Sequence, residues 1–137
     1  DADGAPNSNE VVFISDFKET YVFAVPITGQ GDDIAVATNV NSFFVTRAIT
    51  VTDVYASLST APTGSVATFD VNEEGTTILS TKITIDASEK TSNSAANPPV
   101  ISDSSIAAFS ELTFDIDGVG STVAGSTGTI YIHYTVD

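Results

Sequence analysis

Cysteine, methionine and tryptophan are absent from these 137 residues, and there is a single histidine. Without cysteine there is no disulfide framework and no thiolate chemistry. Without tryptophan the commonest sugar-stacking side chain is missing. The lone histidine makes His133 the one base open to a Ser-His-Asp hydrolase. It falls on the polar parity of a terminal strand, between Tyr131 and Thr135, and no G-x-S-x-G element accompanies it. His133 therefore reads as a surface histidine.

Basic charge is equally scarce. Four Lys and Arg stand against eighteen Asp and Glu, for a net charge of −14. Lys18, Arg47, Lys82 and Lys90 are scattered, whereas a phosphate backbone is gripped by clustered cations. The composition argues against nucleic acid as a partner, and against attraction to anionic lipid. No apolar run approaches the roughly 20 residues that cross a bilayer. The acidic surface suits solubility in a salt-rich medium, where carboxylate repulsion is screened. With Asp1 first and no signal-like segment ahead of it, the chain is expected to be a processed mature protein or an excised domain.

What is present is a regular β pattern. Residues 1–9 (DADGAPNSN) read as an arm or linker, and residues 10–137 as one domain. Strands are expected near Glu10–Ser15, Thr20–Ile27, Ser42–Arg47, Ala48–Thr60, Val66–Val71, Thr76–Asp86, Ser110–Asp117 and Thr129–Val136. Apolar parity switches at Thr52–Asp53, which predicts a bulge. In Val66–Val71 the pattern sends Ala67, Phe69 and Val71 inward and Thr68 and Asp70 outward. Asn72–Gly75 reads as a bulged hairpin turn, and Ala87–Ser105, with Asn97-Pro98-Pro99, as the longest loop. No apolar stripe of helical period persists. The expected fold is all-β, a two-sheet antiparallel sandwich of jelly-roll type.

Several groupings have the residue types that chemistry needs. Asp115 and Asp117 share one strand face, roughly 6–7 Å apart, a spacing open to a glycosidase pair. An exposed sheet face does not raise a carboxyl pKa, so solvated acids are the expectation. Calcium needs only clustered oxygens, and its candidate ligands are Asp32, Asp33, Asp70, Asn72, Asp115 and Asp117, with Asp1 and Asp3 at the start. No EF-hand loop is present, because DADGAPNSNE carries Gly at its fourth position. DIDGVGST lacks the spacing, the helix and the Lys of a phosphate loop, and reads as a turn. Apart from calcium no cofactor is expected, and neither is catalysis.

The ordered set TAPTGSVATFDVNEEGTTILSTKITIDASEKTS, followed by ELTFDIDGVGST, carries a resemblance. From about Val51 to Tyr134 the chain resembles a β-sandwich module of tailed-bacteriophage virion proteins, of the tail-fibre, tail-appendage and head-decoration kinds. The resemblance implies a structural or attachment protein on the virion surface, outside the cell. Its partners would be other virion proteins and further copies of itself, a trimer among the forms, and it carries no catalytic residues. Two alternatives stay open. One is a carbohydrate-binding module in which the eight Phe and four Tyr furnish a stacking platform for a host-surface glycan. The other is a filament subunit assembled by strand donation, since Val11–Ile14 and Tyr21–Ile27 could pack within the domain or onto a neighbour.

Overall fold

Strands form wherever apolar side chains recur at every second position, because that period buries one sheet face and leaves the other wet. The computed structural model describes residues 18–137. The arm expected at 1–9, the strand expected at Glu10–Ser15, and Asp1 and Asp3 lie outside the described residues.

Eleven strands follow in order: β1 (Thr20–Pro26), β2 (Ala37–Phe44), β3 (Ile49–Thr60), β4 (Ala67–Glu73), β5 (Thr76–Thr77), β6 (Leu79–Thr81), β7 (Ile83–Ile85), β8 (Val100–Ile101), β9 (Ser105–Ile106), β10 (Glu111–Gly118) and β11 (Ser126–Val136). The described residues contain no helix. One sheet has the order β1-β11-β3-β9 and the other β2-β10-β4-β5, with β7 also pairing β4. All pairings are antiparallel. The chain crosses between sheets at each step from β1 to β4 and again from β9 to β11. That order is a jelly roll, the expected architecture.

The core lies between the sheets. Val54, Ala56, Leu58, Ile130 and Ile132 from the first meet Phe69, Val71, Leu112, Phe114 and Ile116 from the second. Each fully buried Ile, Leu or Phe contributes about 1.5–3 kcal/mol by leaving water. The parity switch in β3 is a bulge: His133 faces Asp53 and Tyr134 faces Val51, so Thr52 has no opposite number. The β4–β5 connection differs from the bulged turn expected. Glu74 and Gly75 alone join Glu73 to Thr76, with φ of 49° and 85°. A two-residue turn with both φ positive is the I′ type, whose twist matches its strands.

Three segments depart from the pattern. β2 was not expected to begin at Ala37, because an edge strand reading ATNVNSFF shows little alternation and is mostly exposed or half-buried. The single strand expected over Thr76–Asp86 breaks into β5, β6 and β7. Thr77 pairs with Asn72 and Ile83 with Phe69, so five residues (78–82) arch out opposite only two of β4. The arch is held because β6 pairs with β8, inside the segment expected to be all loop. It also corrects Asp70, which points to the outer face as expected yet is only 4% exposed.

Phe109, between β9 and β10, has φ +64° and is 69% exposed. An aromatic residue is strained in that left-handed region, and little burial offsets it. Phe109→Gly is expected to stabilise the fold by about 0.5–1 kcal/mol, read as a higher urea midpoint at unchanged m-value.

A candidate binding groove on the outer face of the β3–β11 sheet

The polar parity of β3 and β11 carries aromatics. Tyr55 and Tyr131 stand directly opposite, as do Asp53 and His133. The Ser57 and Tyr131 hydroxyls share a 3.0 Å hydrogen bond. The His133 ring meets Tyr55 edge-on, with centroids 5.4 Å apart and planes at 83°. Both geometries fix the rings without burying them, and Tyr55 remains 38% exposed.

The far edge of β3 supplies a wall. The Ser92 amide donates to the Ala56 carbonyl at 3.0 Å, and the Ala56 amide donates to Ser92 Oγ at 2.9 Å. The Leu58 amide donates to the Lys90 carbonyl. At the other end the Val51 amide donates to the Ser104 carbonyl, and β9 pairs with Ile49 and Thr50. Between these anchors the chain arches away from β3 and leaves a gap. Ala56 and Leu58 spend their edge-side groups on this segment, so strand alternation turns the Val54 amide and carbonyl into the gap.

Two adjoining hollows result. One of about 490 Å³ is lined by Asp53, Val54, Tyr55, Asn93, Pro99 and Val100 among others. A second of about 330 Å³ lies between Tyr55, Ser57, Asn93 and Tyr131. They share Tyr55, Ser92 and Asn93, so together they form one trough across the Tyr55 ring. The trough offers an aromatic face, a carboxylate, a carboxamide, a backbone donor and acceptor, and apolar proline rings.

The residues singled out for calcium separate into two places. Asp32 and Asp33 sit between β1 and β2: the Asp32 carbonyl accepts from the Thr127 amide, and Asp33 bridges to Ser126. Asp70, Asn72, Asp115 and Asp117 gather on the outer face of β4 and β10, where Asp70 faces Asp115. There their oxygens serve the fold. Asp115 accepts from the Asn39 amide at 2.8 Å through Oδ1 and from Asn72 Nδ2 at 2.9 Å through Oδ2. Asn39 has φ 52° and lies where the β2–β10 register shifts, so Asp115 pins that irregularity. Asp70 accepts from the Thr77 hydroxyl and the Val71 amide, closing the base of the 78–82 arch. Lys82 donates to Asp117 at 2.6 Å and lies 3.6 Å from Asp70. No three His, Asp or Glu side chains converge as a metal-binding group among the described residues. The Asp115–Asp117 pair considered for acid–base work is thus divided, one carboxylate tied to β2 and the other to Lys82.

No protein-family model and no curated protein matches the chain. Among solved structures it is similar to the Drosophila NLP core, a structure described as giving insight into pentamer formation and histone binding. The identity is 18%, over 87% of this chain and 98% of that one, with a TM-score of 0.41. These findings correct the virion reading. A bacteriophage capsid-decoration or tail-fibre protein, placed on a virion surface outside the cell, finds no counterpart, and the similar structure is that of a histone-binding protein. At this identity and TM-score that protein's binding and assembly are not carried over to this one.

Two outcomes follow from the Asp70–Lys82 cluster. Asp70→Ala strips the buried Val71 amide of its carboxylate acceptor and leaves the Thr77 hydroxyl only its longer contacts to the Val71 and Leu79 carbonyls, and is expected to cost about 1–3 kcal/mol in urea unfolding. Lys82 is held above its ordinary value of 10.5, first by the hydrogen bond to Asp117 and then by the nearby carboxylates against partial burial. A raised folded-state value stabilises fully below the unfolded one and is lost as pH rises through the raised one. Lys82→Met should therefore flatten the fall in melting temperature above pH 10.5.

Proposed function

We propose that this protein is a non-catalytic recognition module whose trough over Tyr55 binds a neutral glycan. The observation that carries the reading is the adjoining pair of hollows sharing Tyr55, Ser92 and Asn93. Sugar rings present C–H faces that rest on aromatic rings and hydroxyl edges that bond to carboxylates, carboxamides and backbone groups. The larger hollow, at about 490 Å³, lies within the 300–1,000 Å³ or so of small-molecule sites.

Charge and edge length select among ligands. A net charge of −14, with Asp53 inside the trough, repels carboxylated or sulfated chains and leaves neutral ones unaffected. An extended peptide would need a longer free strand edge, because Ser92 and Ser104 already occupy β3 on either side of the gap. Non-catalytic binding is supported by the lining itself. Asp53 is the one carboxylate among the residues of both hollows, whereas glycoside hydrolysis ordinarily employs two.

Binding to an array of neutral and acidic glycans, followed by calorimetry on the hits, tests this reading. Tyr55→Ala is expected to weaken a neutral hit about 10-fold or more, as loss of a stacking ring does, and Asn93→Ala by a smaller factor. Both variants should keep the wild-type melting temperature within a few degrees, since both side chains lie on the surface. Silence toward neutral glycans at millimolar concentration would remove the proposal.

A further inference from the structure

The open side of the sandwich, between the edges of β1 and β2, is lined with aromatics. Phe23 lies 4.9 Å from Phe43 and stacks on Tyr134 at 4.4 Å between centroids, and Phe43 stacks on Phe114 at 5.7 Å. Two hollows flank Phe23. One of about 270 Å³ is bounded by Ala24, Pro26, Asn41 and Phe43, and one of about 180 Å³ by Val45, Arg47, Tyr134 and Val136.

The backbone beside this seam is open too, except at its end, where Asn41 Nδ2 donates to the Pro26 carbonyl at 2.8 Å. β1 pairs with β11 over seven residues without a register break, and among the described residues no strand pairs its other side. Edge strands are normally protected by a charge, a bulge or a proline. β2 has its irregularity near Asn39. β1 has no Lys, Arg, Asp or Glu and no bulge, and its one proline stands at the final position, Pro26. Tyr21 and Val22 are 44% and 50% exposed along it.

We propose that this seam is the docking groove for the segment Glu10–Ser15 of a second copy of the chain. The segment reads EVVFIS, with Val11 and Phe13 on one parity and Val12 and Ile14 on the other. A strand added beside β1 would project two apolar side chains to one face, roughly 7 Å apart, one for each of the two hollows that Phe23 borders. A second copy supplies it because the chain's own segment is poorly suited to the tightest return, a two-residue hairpin turn. From Glu10 to Thr20 there is no Gly or Asn to take the positive φ of such a turn, and Ser15 and Asp16 are the turn formers present. Extended, the ten steps from Glu10 to Thr20 reach roughly 33 Å, enough to leave one sandwich and meet another. Exchange of such an arm is a low-cost route to a symmetric assembly. Two chains of net charge −14 repel, so this apolar association strengthens as salt rises.

Sedimentation equilibrium of the full chain over a concentration series, at low and at 0.5 M salt, tests the proposal. A concentration-dependent oligomer favoured by salt is expected. Phe13→Asp combined with Ile14→Asp should render it monomeric with an unchanged circular dichroism spectrum, and excess of a synthetic peptide spanning residues 8–17 should dissociate the native chain. Because the native chain lacks cysteine, a Phe13→Cys chain mixed with a Val22→Cys chain should form the mixed disulfide. A native chain that stays monomeric at millimolar concentration overturns the proposal. So does an oligomer that survives the double aspartate change, or a mixture that yields no mixed disulfide. Glycan binding is read separately, so either proposal can fail without the other.

Discussion

Backbone hydrogen bonding along the outer edge of β3 sets much of this molecule's surface. A twelve-residue strand in the sheet must find partners on both sides or face water. β11 serves one side along its length. The other is served only in parts, by Lys90–Ser92 toward one end and by Ser104–Ile106 toward the other. The Thr52 bulge lies between these parts and twists the strand away from continuous pairing. The trough over Tyr55 is the space this incomplete pairing leaves, and its polar character comes from groups the sheet does not consume.

The acidic residues divide by the same reasoning. A carboxylate near irregular backbone finds amides to accept from, and Asp70 and Asp115 do so at the arch of residues 78–82 and at Asn39. Their clustering in sequence suggested a cation site, and the structure gives their oxygens to the two places where strand pairing is interrupted. Lys82 adds the one ion pairing resolved in this patch, bridging Asp117 toward Asp70. The cluster spends its charge on local geometry.

Much of the architecture was legible in the residues. The alternation in β10, with Leu112, Phe114 and Ile116 buried, and the phase change at Thr52 followed from period two alone. β2 and the division of Thr76–Asp86 did not, because an exposed edge strand need not alternate and an arch is fixed by partners distant in sequence, here Val100 and Ile101. The trough was hidden for a similar reason: Tyr55 and Tyr131 meet only through strand pairing. One signal was available. Both tyrosines sit on the polar parity of otherwise well-patterned strands, where an aromatic ring is not needed for the core. The family resemblance was the least transferable inference, since turn and strand motifs of this kind express sandwich geometry common to unrelated functions.

The segment between Ser92 and Ser104 is tethered at both ends to β3 and rests on β6 through β8. Within it, Asn93, Pro98 and Pro99 border the trough and stay out of the core, whereas Ile101 packs against it. Such a strap is free to vary. Replacing those few side chains would reshape what the molecule recognises and leave its folding energetics almost untouched, so new specificities lie within a handful of substitutions.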